Sequence, residues 1–128
     1  VMTALTHVAV FTYFMATAKW LIAATAKADL EPHRFVQPAH HRKGRSLVLA
    51  MTAIMVTFAA VFAGAAVDTI RDVPPALHLG AALAAILANL VCAAGEYRLI
   101  RQQGALMDQA LEALNAPQQA ADHEIQKA

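Results

Sequence analysis

The sequence predicts an all-α integral membrane protein with three transmembrane helices, N-terminus outside and C-terminus inside, and a short amphipathic helical extension after the third span. Three observations carry that expectation. Charged side chains cluster in a few short stretches and leave three long runs almost free of them. Those runs are apolar all round, with no polar face opposite an apolar stripe. Basic residues gather in alternate connections, as they do on the inner side of membrane proteins.

The composition sets the frame. Of 128 residues, 59% are hydrophobic and 15% charged, against roughly 25% charged in an ordinary soluble domain. A net charge of +1 supplies no field for nucleic acid. The single cysteine, Cys92, excludes an internal disulfide and sits in an apolar run, where a thiol acts as a small packing residue. The chain is one domain's worth, with a three-helix unit over residues 1–115 and a polar tail over 116–128.

The first span is expected over about 4–26. Val1 to Ala18 carries no charged side chain, and Lys19 beside Trp20 suits a residue whose ammonium reaches the interface. Ala24-Thr25-Ala26 resembles a signal-peptide cleavage site, but no basic region precedes the run, which is also long for such a peptide. The second span, 46–67, holds only Ser46, Thr52 and Thr57 as polar side chains. A helix rises about 1.5 Å per residue, so ~20 residues cross a ~30 Å hydrocarbon core. The third span, 75–96, follows Pro74 and Pro75, which suit a helix's first turn.

Between the first two spans Pro32 and Pro38 should break up a basic loop containing Lys27, Arg34, Arg42, Lys43 and Arg45. The connection at 68–75 has only Arg71 against Asp68 and Asp72, and Arg98 and Arg101 follow the third span. Both basic clusters place residues 27–45 and the C-terminus inside, which points to a bacterial cytoplasmic membrane. Residues 97–115 should continue as a helix with a stripe through Ile100, Met107, Leu111 and Leu114, stopped by Asn115 and Pro117.

Packing in lipid relies on small residues and interhelical hydrogen bonds. Ala85, Asn89, Cys92 and His78 share a face of the third helix, Ala60 and Gly64 form a small-xxx-small pair on the second, and Thr3, Thr6, Tyr13 and Thr17 form a hydroxyl stripe on the first. Asn89 is expected to face protein, since lipid tails offer its carboxamide nothing. Arg42, Lys43 and Arg45 should attract anionic lipid through a diffuse field in which they are interchangeable.

No carboxylate is expected within the membrane or near a histidine, and no Ser/His/Asp set or phosphate loop appears. The chain therefore reads as a non-catalytic, cofactor-free subunit or scaffold that packs against lipid, itself or other membrane subunits. Two alternatives accompany that reading. His7 and His78, expected at similar depth near the outer ends of their helices, could ligate a haem in an electron-transfer subunit. The size, three spans, outer N-terminus and basic inner regions resemble the layout of one class of phage holins. That resemblance would imply a pore-former, although the tail here is mixed in charge.

Overall fold

Three helices make up the protein, α1 (Met2–Ala28), α2 (Pro32–Thr69) and α3 (Pro75–Lys127), in an up-down-up order. The computed structural model describes residues 2–70 and 74–127, with residues 118–127 described for their backbone alone. Each helix is long and apolar enough to cross a membrane.

The 27 residues of α1 include neither glycine nor proline. The helix ends because Asp29 turns into the left-handed region at φ 50°. That geometry lets the Leu30 amide donate to the Thr25 carbonyl at 3.1 Å, the six-to-one bond of a Schellman cap. Leu30 then folds back against Leu21 and its neighbours.

Two prolines expected to interrupt helix do not. The basic loop expected up to residue 45 shrinks to Asp29–Glu31, because α2 begins with Pro32 in its first turn and runs through Pro38. Pro38 removes a backbone bond and crowds the preceding turn, at about 3 kcal/mol. Its neighbours offset this: Phe35 and Ala39 are buried in a cluster with Ala18, Leu21, Leu106 and Ala110, and a buried phenylalanine alone contributes roughly 1.5–3 kcal/mol. The expected stop at Asn115 and Pro117 is likewise absent, since α3 continues to Lys127 as one helix of 53 residues. Residues 115–117 are exposed, and no contact among the described residues explains the continuation across Pro117. Of the second connection, Arg71, Asp72 and Val73 lie outside the described residues.

Buried positions repeat at intervals of three and four. On α3 they are Ala85, Cys92, Glu96, Leu99, Gln103, Leu106 and Ala110, the spacing of a seam between helices in a left-handed bundle. This seam lies one position from the stripe expected through Ile100, Met107, Leu111 and Leu114, of which Leu111 is exposed and the others half-buried.

The helices are not flush. His7 faces Asn89 and Glu96, and Thr17 faces Gln103. Thr57 meets Asn89, and Arg42 meets Gln103. The first third of α1 therefore lies beside the uncharged runs of α2 and α3. Its remaining two thirds pack against Pro32–Arg42 and residues 103–113, while the Ile70 and Pro75 ends of α2 and α3 project beyond α1. The packing changes with this offset. At one end the core holds Leu21, Phe35 and Leu106. Along the uncharged runs of α2 and α3 the buried residues are Ser46, Ala50, Ala53, Ala60, Ala85 and Cys92, and Phe58, Phe62, Leu83, Leu87 and Leu90 point outward.

Candidate functional site

The seam of α3 carries polar residues at every seventh position: Asn89, Glu96 and Gln103. Seven residues are nearly two turns, so the three side chains lie on one face about 10 Å apart. Each finds a partner on another helix.

At the first level, the Asn89 amide donates to Thr57 Oγ1 at 3.0 Å and to the Ala85 carbonyl at 2.7 Å. Its oxygen lies 3.2 Å from His7 Nε2. At the second, His7 Nδ1 lies 2.8 Å from Glu96 Oε2, with both side chains almost wholly buried. At the third, Gln103 donates to Thr17 Oγ1 at 3.2 Å and accepts from the Arg42 guanidinium at 3.4 Å. Thr17 itself donates to the Tyr13 carbonyl at 2.9 Å. The expectation that no carboxylate approaches a histidine is thus corrected. Glu96, at the boundary of the third run, is folded inward rather than left at the interface.

The donors and acceptors constrain the protons. Asn89 Oδ1 can only accept, so His7 Nε2 carries a hydrogen and donates it. One further proton must then lie between Nδ1 and Glu96 Oε2, because a bare imidazole nitrogen facing a carboxylate would be two acceptors in contact. Either an imidazolium faces a carboxylate or a neutral imidazole faces a carboxylic acid. Both satisfy the contact, and Glu96 Oε1 is left with no partner among the described residues. Ser46 Oγ, also buried, is likewise unpaired there. Such a seam ties the helices by hydrogen bonds that sliding one helix along another would break, each contributing about 0.5–1.5 kcal/mol.

The other candidate residues are placed as follows. Ala60, Ala85 and Cys92 are buried between helices. Gly64 accommodates the ring of His78, whose Cε1 and Nδ1 lie 2.8 and 2.9 Å from where a Cβ would stand. The hydroxyl stripe of α1 divides: Thr17 turns inward, Tyr13 is half-buried against Phe14, and Thr3 and Thr6 are exposed, with Thr6 bonded to its own helix. His7 and His78 do not face each other. Both nitrogens of His7 are engaged, and His78 lies about 16 Å along α3 from Asn89. Among the described residues no group of three His, Cys, Asp or Glu side chains could hold a metal ion.

The basic residues also differ from one another. Arg42 is half-buried and reaches the seam, and burial lowers its pKa from the ordinary guanidinium value. Arg45 instead lines an open groove between α2 and α3 with Arg98. No protein-family model, curated protein or solved structure matches this chain, so its chemistry is read from its own residues.

Proposed function

We propose that the chain is a non-catalytic membrane subunit, a helix-packing scaffold whose α2–α3 hairpin is embedded in the bilayer and offers its apolar flanks to other helices. The supporting observation is the exchange of side-chain size along the bundle. Where the core holds Leu21, Phe35 and Leu106, large apolar side chains are buried as water demands. Along the uncharged runs small residues are inside and phenylalanines and leucines outside. That inversion suits lipid, where burial between helices gives no hydrophobic gain and close approach favours alanine and glycine. The charge pattern supports placing Pro32–Arg45 and residues 97–115 on the inner side. The polar seam supports a structural role, since apart from Glu96 Oε1 its groups are spent on one another.

The test is purification from native membranes in mild detergent, with crosslinking from Phe62→Cys and Leu83→Cys, both on the exposed apolar flank. The expected result is a stable assembly larger than one chain, with crosslinks from both positions to the same partner or to a second copy. Elution as a single chain with no crosslink overturns the scaffold reading, and lysis of cells on induction would favour a pore-former instead.

A further inference from the structure

We propose that the groove between α2 and α3, on the side to which α1 contributes no lining residue, binds one anionic phospholipid by its phosphate. Arg45 from α2 and Arg98 from α3 line it, with His40 and His41 about a turn beyond Arg45. On the side of the uncharged runs its apolar lining is Val48 and Leu49, and among the described residues no acidic side chain lines it. The groove is open at Gly44, where nothing stands within 4 Å of the position a Cβ would take.

Position selects the occupant. Arg45 is the last charged residue before the uncharged run of α2, and Arg98 follows that of α3 within a turn. The basic part therefore lies at headgroup level and the apolar part opens toward the tails. Val48 and Val91, 65% and 70% exposed, continue the apolar surface along α2 and α3. A phosphodiester can take paired N–H donors from two guanidiniums while its acyl chains follow the valines. A zwitterionic headgroup's ammonium finds no carboxylate among the described lining residues, so the site favours a net anion. The diffuse attraction expected of Arg42, Lys43 and Arg45 thus becomes a defined pair, Arg45 and Arg98, with Arg42 turned to the seam.

This inference rests on the membrane placement proposed above, and the experiment separates the two. The purified chain is first floated with phosphatidylcholine vesicles containing phosphatidylglycerol. It is then extracted in mild detergent, and retained lipid is counted by native mass spectrometry. Wild type should retain one phosphatidylglycerol in preference to phosphatidylcholine, and excess inorganic phosphate should not displace it. Arg45→Gln with Arg98→Gln should lower that retention roughly thirtyfold. Lys27→Gln with Arg101→Gln, which removes equal charge from exposed residues outside the groove, should leave it unchanged. Failure to float with any vesicle overturns the membrane reading and the groove together. Flotation with equal retention of both lipids, equal loss in both double variants, or displacement by phosphate overturns the groove alone.

Discussion

His7 commits both ring nitrogens to α3, and among the described residues the Glu96 carboxyl has no polar partner but His7. The two residues should therefore respond unequally to substitution. Glu96→Gln keeps the contact, because the new amide can donate to Nδ1 while Nε2–H still donates to Asn89, and the cost should be roughly 1 kcal/mol. His7→Leu leaves a buried carboxyl with no partner and should cost about 3–5 kcal/mol. Reversible unfolding in mixed micelles measures both, and equal losses would show that packing volume, not the shared proton, holds the contact. Much of this was legible beforehand only in outline. Asn89 could be placed against protein because lipid gives an amide nothing. Glu96 and Gln103 follow Asn89 at seven-residue steps, but a charged residue at the end of an apolar run also reads as its boundary, and a glutamine beyond it reads as exposed helix surface. His7 gave no local signal, since its partners lie 82 and 89 residues away.

At the scale of elements, local rules succeeded where nothing else competed and failed where packing did. The apolar runs and the proline start of α3 follow from composition and backbone chemistry alone. Pro38 misleads because its penalty is local and its compensation, the burial of Phe35 and Ala39 against α1 and α3, is not. The end of α1 shows a local device with residual strain. Asp29 occupies the left-handed region, which an aspartate tolerates at some cost and glycine adopts freely. Asp29→Gly should therefore raise stability by up to about 1 kcal/mol, and Asp29→Val should lower it, since a β-branched residue fits that region worst. Thermal unfolding in detergent checks the pair. A loss from Asp29→Gly would mean that the carboxylate contributes more than the turn.

For the whole molecule the decisive quantity is the offset of α1. Composition alone makes three spans lie side by side, with residues 4–26 level with 46–67 and 75–96. In the structure the level of Glu96 meets α1 at His7, so Ala16 stands about 14 Å beyond it and Ala23 about 24 Å. Both alanines are exposed and stand at the level of α3 where Gln102 and Gln109 are also exposed. If the bilayer encloses the uncharged runs, these positions of α1 lie in water. The test is thiol labelling in a Cys92→Ala background, which removes the buried native cysteine. With the inner face made accessible, Ala16→Cys, Ala23→Cys and Gln109→Cys should react with a charged maleimide at similar rates, and Val91→Cys should stay protected in lipid. In intact cells all four should be silent and Thr69→Cys should label. A flush three-span arrangement predicts the opposite for Ala16→Cys, since residue 16 would then sit near the bilayer centre and react as slowly as Val91→Cys. Protection of Ala16→Cys alongside reactive Gln109→Cys would mean that α1 slides along its neighbours in the membrane, and the His7–Glu96 contact would have to break with it.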